Sequence, residues 1–181
     1  MNIAVYCAAS QSNVSTFDER TEELGDWIAK KNYTLIYGGG NTGLMGIIAT
    51  SVMKSGGEVI GVMPQFFVDR EIAKKDITKL HIVDTMSERK NKMIELSEAY
   101  IALPGGPGTL EEIAEVVSWV RVGQTNGICI FYNMEGYYDH LESFFNHMVT
   151  TNLLSKEDRK QIYFVKSLEE IEKLIENYEK R

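Results

Sequence analysis

A chain of 181 residues with 44% hydrophobic and 25% charged side chains is sized for one globular domain around a single substantial core. Its 26 acidic against 19 basic side chains leave a net charge of −7, without the basic footprint that a nucleic-acid partner requires. No apolar run approaches the roughly 18 residues a membrane span needs. Met1-Asn2-Ile3-Ala4-Val5 enters strand-like sequence with neither a basic leader nor a small-residue cleavage site, so the expectation is a cytoplasmic protein with no membrane partner.

In chain order, apolar runs rich in β-formers alternate with longer helical patterns. Residues 3–7 read as a strand, 16–31 as a helix, 34–37 as a strand and 43–55 as a helix. A third strand is expected at 58–62. The pattern is weakest over 64–79, read as a long loop or partly helical excursion, and 80–83 reads as a short extra strand. There follow a helix at 87–97, a strand at 99–103, a helix at 109–122, a strand at 128–132, a helix at 137–150, a strand at 162–165 and a helix at 167–179. Most of the strand runs are continuously apolar, the mark of strands covered on both faces of a parallel sheet. With right-handed crossovers, this alternation predicts a single α/β domain over 1–181, a three-layer Rossmann-like fold with a mainly parallel sheet. Cys7 and Cys129 both fall in such runs, where they read as buried thiols of a reducing compartment rather than a disulfide.

In open parallel sheets, ligands collect at the carboxyl ends of the strands. Four turns fall there: Cys7-Ala8-Ala9-Ser10, Tyr37-Gly38-Gly39-Gly40-Asn41-Thr42-Gly43, Val62-Met63-Pro64, and Leu103-Pro104-Gly105-Gly106-Pro107-Gly108-Thr109. The last is the most telling. It joins an apolar strand to a helix start through three glycines, so successive backbone N–H groups and the positive end of the helix dipole form a ready phosphate site. Thr109 is expected to cap that helix or to give its hydroxyl to the anion. Glu111 and Glu112 follow within a turn. They stand about 100° apart on the helix, so only one can serve the site, and spacing does not say which. First-turn glutamates also serve as ordinary dipole partners.

Arg89 and Lys90 open another helix, against the dipole preference for acids there, a placement suited to holding an anion or a developing negative charge; a solvated surface pair is the alternative. The glycines at 38, 39, 40, 43 and 46 match neither an ATPase loop nor the dinucleotide fingerprint, and no acidic residue ends the second strand to hold a ribose, which argues against an NAD-type cofactor. Tight turns and close packing explain those glycines as well as ligand contact does. His81, His140 and His147 have no metal-site or nucleophile-pair spacing. No metal and no cofactor are expected.

The residues that carry chemistry also resemble a known family. Gly38-Gly39-Gly40 with Gly43-Leu44-Met45-Gly46, then Gly61-Val62-Met63-Pro64, Arg70-Glu71-Ile72, Met86 with Arg89-Lys90, Pro104-Gly105-Gly106-Pro107-Gly108-Thr109 with Glu112, and Gly136-Tyr137-Tyr138-Asp139 are similar to the LONELY GUY family, cytokinin riboside 5′-monophosphate phosphoribohydrolases long labelled lysine decarboxylase-like. The resemblance covers nearly the whole chain. It implies a Rossmann-like homodimer or larger assembly that hydrolyses the N-glycosidic bond of a purine nucleoside 5′-monophosphate, AMP or an N6-substituted form, to free base and ribose 5-phosphate. The family's catalytic pair falls on Arg89 and Glu112. Substrate contacts fall on Glu71, Lys90, Gly105, Gly106, Pro107, Gly108, Thr109, Leu110 and Glu111, and the first two turns add Ser10 and Gly39. The chain departs from the family pattern at Ser87, Lys74 and Thr125, where histidine is common. A non-catalytic nucleotide or cofactor carrier on the same fold is the alternative; it would keep the glycine turns without needing Arg89 and Glu112 together. A lysine decarboxylase would require an electron sink for which no site is evident.

Overall fold

The strand Asn2–Tyr6 (β1) is buried from its second residue onward and lies at the centre of a seven-stranded sheet. In this computed structural model, which describes residues 1–70 and 72–180, the chain continues through α1 (Ser15–Lys30), β2 (Thr34–Tyr37), α2 (Gly43–Lys54), β3 (Glu58–Pro64), a short α3 (Gln65–Val68), β4 (Lys79–Val83) and α4 (Met86–Glu95). It then runs through β5 (Ala99–Ala102), α5 (Pro107–Arg121), β6 (Ile128–Tyr132), a 3-10 turn at Met134–Gly136, α6 (Asp139–Thr150), a short α7 (Lys156–Arg159), β7 (Ile162–Val165) and α8 (Leu168–Glu179). Every strand pairing is parallel, in the order β4-β3-β2-β1-β5-β6-β7.

Two separate cores explain why the strands are apolar without alternation. On one face Ile3, Val5, Leu35 and Tyr37 pack with Leu24, Ile28, Leu44 and Ile48 of α1 and α2 and with Ile171 and Ile175 of α8. On the other, Ala4, Tyr6, Ile36 and Tyr100 pack with Met93 of α4 and with Ile113 and Val116 of α5. Successive residues of β1 thus enter opposite cores, as a period of two requires, and the fold has the expected three layers. Cys7, just past β1, and Cys129, in β6, are both buried and unbridged.

The extra strand over 80–83 exists and pairs with β3 from Lys79 to Val83. As an edge strand it has no fully buried residue, which is why its signal is weak. The segment before it is partly helical, as α3, and then turns back so that Ala73 bridges Gly40 in antiparallel fashion. The third strand runs two residues further than its pattern, to Pro64, and α7 was not legible. Among the described residues no helix is long and apolar enough to cross a membrane.

Candidate active site

The strand order reverses between β1 and β5, since the chain continues to one side of β1 through β2 and to the other through β5. The turns after both strands are tied at that seam, where the Ala8 amide donates to the Pro104 carbonyl (3.2 Å) and the Met45 amide, from α2, donates to the Ala8 carbonyl (3.2 Å). A cleft of about 430 Å³ opens above the seam.

Arg89 reaches this seam from α4. Thr85 caps that helix by accepting the Glu88 amide, and the Glu88 carboxylate returns to accept the Asp84 amide, which fixes the helix start. Arg89, in the first turn, points inward rather than to solvent and is only 6% exposed. Its Nε donates to the Val62 carbonyl at the end of β3 (3.1 Å), and its Nη1 lies 3.2 Å from Oε1 of Glu112. Its Nη2 occupies the place a Cβ would take at Gly38, so the first glycine after β2 is the socket for the guanidinium. The ends of β2 and β3 and the helix α5 therefore converge on one cation.

Glu112 sits on the inner side of α5 and is as buried as Arg89. Burial pushes its carboxyl above the usual range; Arg89 pulls it down, Glu111 pushes it up, Lys90 pulls down and Glu115 pushes up, and burial prevails. The same burial, with the Glu112 charge nearby, pushes the Tyr6 hydroxyl and the Cys7 thiol up, so both stay neutral and neither is a nucleophile. Glu111, 62% exposed at its side chain, instead pairs with Lys90 at 2.8 Å. The two adjacent glutamates face different partners, as the helical angle demands.

The phosphate turn differs in one detail from expectation. α5 begins at Pro107, two residues before Thr109, with Gly106 as its N-cap and no side-chain cap. Pro107 supplies a preset φ and lacks only an N–H that the first turn would leave unpaired. Thr109 is the third helical residue, not the cap; its buried side chain packs where a Cβ at Gly105 would stand. No acidic residue occupies the first turn of α5, so nothing in the sequence already neutralises the positive end of the dipole. Gly106 and Gly108 have no other atom within 4 Å of where a Cβ would be, leaving the backbone open to a ligand. Two tyrosines fasten the turn from behind. Tyr137 donates its hydroxyl to the Gly105 carbonyl and Tyr138 to the Leu103 carbonyl, both at 2.6 Å. Asn133 in turn accepts the Tyr138 amide and donates to Asp139, each at 2.7 Å.

Of the residues singled out from sequence, Ser10, Gly105, Gly106, Gly108, Thr109, Glu111, Arg89 and Glu112 all line the cleft. Pro107 and Leu110 are exposed on the outer side of the helix start, and Lys90 is turned onto Glu111 and Glu115. Gly39 faces away: at φ +82° it packs against Met63 and Leu80, and its carbonyl accepts the Lys74 amide. Glu71 lies outside the described residues. Gly43 and Gly46 serve packing, against the Ala8–Ser10 turn and Asn41 respectively. The cleft also has apolar walls that sequence reasoning did not assign to a site, from Phe17, Leu44, Met45 and Tyr137. Leu44 and Met45, in Gly43-Leu44-Met45-Gly46, and Tyr137, in Gly136-Tyr137-Tyr138-Asp139, fall in the motifs that carry the family resemblance, whereas Phe17 left no signal. Among the described residues no group of three or more His, Cys, Asp or Glu side chains could hold a metal ion.

Comparison with known proteins adds a family to this geometry. A family model described as "Possible lysine decarboxylase" matches residues 45–175. The chain is 39% identical over 176 residues to cytokinin riboside 5′-monophosphate phosphoribohydrolase LOG1 of Arabidopsis thaliana, covering 97% of this chain and 83% of that protein. It is 37% identical over 169 residues to cytokinin riboside 5′-monophosphate phosphoribohydrolase of Rhodococcoides fascians, covering 93% and 85%. The chain belongs to the LONELY GUY family. The LONELY GUY relatives are enzymes by name, and they span both a plant and a bacterium. Solved structures resemble the chain at lower identity. The molybdenum cofactor binding protein of Rippkaea orientalis gives a TM-score of 0.71 at 21% identity over 98% of this chain and 96% of that one. The molybdenum cofactor carrier protein of Chlamydomonas reinhardtii gives 0.75 at 18% identity over 99% of both. That likeness is one of fold, which the LONELY GUY family shares with carriers.

Proposed function

We propose that the chain hydrolyses the N-glycosidic bond of a purine nucleoside 5′-monophosphate, AMP or an N6-substituted relative, releasing free base and ribose 5-phosphate. The observation that carries this reading is the buried Arg89–Glu112 pair, 3.2 Å apart, beside an open, uncapped helix N-terminus in the same cleft. A carrier has use for the second feature and none for the first, because enclosing an ion pair costs desolvation that binding alone does not require.

In the proposed reaction the 5′-phosphate lies on the amides of the Gly105–Thr109 turn and supplies remote binding energy that positions the scissile bond. Breaking the bond between the sugar and the base develops positive charge on the ribose and negative charge on the purine. The Glu112 carboxylate stabilises the oxocarbenium-like sugar and accepts a proton from the attacking water. Its raised proton affinity suits that role better than an ordinary surface glutamate would. Arg89 stabilises the departing purine by charge and hydrogen bonding; its high pKa makes it a poor acid, so the base takes its proton from solvent. Ser10 and Glu111 complete the polar lining, and Phe17, Met45 and Tyr137 offer apolar surface for base and sugar. We further propose a homodimer that uses the half-buried Trp119 and Val120 of α5, although their neighbour Val116 is wholly inside the core. A monomer in sedimentation analysis would remove that part of the proposal.

Product analysis on AMP, an N6-prenylated AMP and adenosine tests the reaction, with wild type beside Glu112→Gln. Base and ribose 5-phosphate should form from the monophosphates and be lost by at least about 10²-fold in Glu112→Gln, with adenosine much slower. Tight AMP binding without turnover in either protein would leave the carrier role instead.

A further inference from the structure

The turn after β6 is closed by one side chain. It runs from Asn133 to Asp139 through two left-handed residues, Glu135 at φ +50° and Gly136 at φ +74°. Asn133, 1% exposed, is anchored at the sheet, where its backbone amide donates to the Val165 carbonyl of β7 (2.7 Å). Its side chain then spans the turn: Oδ1 accepts the Tyr138 amide and Nδ2 donates to Oδ1 of Asp139, both at 2.7 Å. A buried carboxamide engaged at both ends leaves its neighbours little freedom. Tyr137 and Tyr138 carry that order to the end of β5, where their hydroxyls reach the Gly105 and Leu103 carbonyls. The carbonyl between these two, of Pro104, accepts the Ala8 amide. Three successive carbonyls of the phosphate turn are therefore held from outside it.

A peptide unit is planar and, throughout the described residues, trans, so its N–H points opposite to its C=O. Holding the Pro104 carbonyl on Ala8 fixes the direction of the Gly105 amide, and holding the Gly105 carbonyl on Tyr137 fixes that of the Gly106 amide. Neither amide has an acceptor among the described residues. Two adjacent glycines would otherwise be the freest stretch of the turn. Resting on the hydrolase reading, we propose that Asn133 is a positioning residue for the 5′-phosphate: it locks the turn after β6 and, through Tyr137 and Tyr138, aims the Gly105 and Gly106 amides before any ligand arrives. Asn133 acts from outside the cleft, whose lining does not include it. Amides aligned in advance leave the binding energy of the phosphate for positioning the scissile bond, whereas amides free to turn would draw on it for their own ordering.

The experiment sets Asn133→Ala, Asp139→Ala and Asp139→Asn beside wild type. The first removes both side-chain bonds, the second removes one, and the third keeps an oxygen within reach of Asn133. Melting curves report the fold, and two further readouts report the phosphate site. One is nitrogen-15 NMR of the full chain, with the Gly106 amide assigned by its displacement in Gly106→Ala and titrated with ribose 5-phosphate. The other is kcat/KM for a purine nucleoside 5′-monophosphate relative to its nucleoside. Asn133→Ala should shift the ligand-free Gly106 signal, weaken ribose 5-phosphate by about tenfold and lower that ratio by a similar factor. Asp139→Ala should lose less, and Asp139→Asn should restore most of it. If Asn133→Ala does not fold, Tyr138→Phe decides in its place: it removes only the hydroxyl at Leu103 and should weaken ribose 5-phosphate by about threefold. A lowered melting temperature with unchanged affinity and ratio makes Asn133 a residue of the fold alone and overturns the inference. So does a wild-type Gly106 amide that ribose 5-phosphate leaves unmoved. Wild type that binds ribose 5-phosphate at Gly106 but turns over no monophosphate sinks the hydrolase reading alone, because the affinities still decide how Asn133 acts.

Discussion

After β2 the chain runs Gly38-Gly39-Gly40 and on to Gly43; after β5 it runs Gly105-Gly106-Pro107-Gly108. Each turn joins a buried strand to a helix, and in sequence either could cradle a phosphate. In the β2 turn a side chain would strike something almost everywhere: Arg89 at Gly38, Met63 at Gly39, and the backbone of Ala8–Ser10 at Gly43. In the β5 turn Gly105 is filled by Thr109, whereas Gly106 and Gly108 face open space. Glycine in the first turn makes room for protein, and at the mouth of the second it makes room for a ligand. Composition does not separate these two uses; neighbours do.

The distinction can be broken most sharply at Gly38. The atom a Cβ would meet is the far end of a long side chain, so Gly38→Ala should still fold, with a melting temperature lowered by the disturbed Arg89–Glu112 pair. The displaced guanidinium should nevertheless lower kcat by about 10²-fold. Loss of fold along with activity would mean that Gly38 serves the backbone and not Arg89. Next in size is Gly43→Ala, where φ is +58° and the Ser10 carbonyl lies 2.5 Å from the added carbon. Denaturant unfolding should show a loss of about 2–3 kcal/mol.

At Gly106 the expectation reverses. Its φ of −89° and ψ of −163° suit alanine, and the added methyl meets nothing. Gly106→Ala should leave stability nearly unchanged and raise KM for a 5′-monophosphate by about tenfold, roughly 1.4 kcal/mol. An unaffected KM would detach the open turn from phosphate binding. The smallest effect belongs to Tyr137→Phe, which keeps the edge contact with Phe17 (5.8 Å between centroids) but removes the hydrogen bond to Gly105. A loss of about 1 kcal/mol, seen as a KM raised roughly fivefold for the monophosphate and not for the nucleoside, would show the clamp holding the turn.

The alternation of strands and helices was legible because each central strand is buried on both faces, which leaves an unbroken apolar run such as Ile128 to Tyr132. β4 was faint for the opposite reason, and α7 is a four-residue helix with no buried residue to mark it. Within the site, the sequence located the turns but not their directions. That Glu112 rather than Glu111 turns inward depends on where α5 begins, and the start at Pro107 instead of Thr109 is set by cap geometry that local pattern resolves poorly. Gly39, expected at the ligand, turns away because its left-handed backbone hands its carbonyl to Lys74. The apolar wall at Phe17 comes from an element distant in sequence and left no local trace, and Met45 was marked only by its place in the Gly43-Leu44-Met45-Gly46 motif.

The central place of β1 has a consequence for how the protein comes into being. On a ribosome, β1 through β4 are made first and can form one half of the sheet in the order β4-β3-β2-β1. The other edge of β1 stays open until β5 appears, with a sequence separation of 96 residues between Asn2 and the Glu98 carboxylate that binds its amide. Such distant pairing is slow to close and leaves an unpaired parallel edge in the meantime. The cleft lies on that same seam, and Glu112 arrives only with α5. An unfinished chain therefore holds Arg89 without its carboxylate, and the last long-range closure of the sheet is also the moment at which the ion pair can first form.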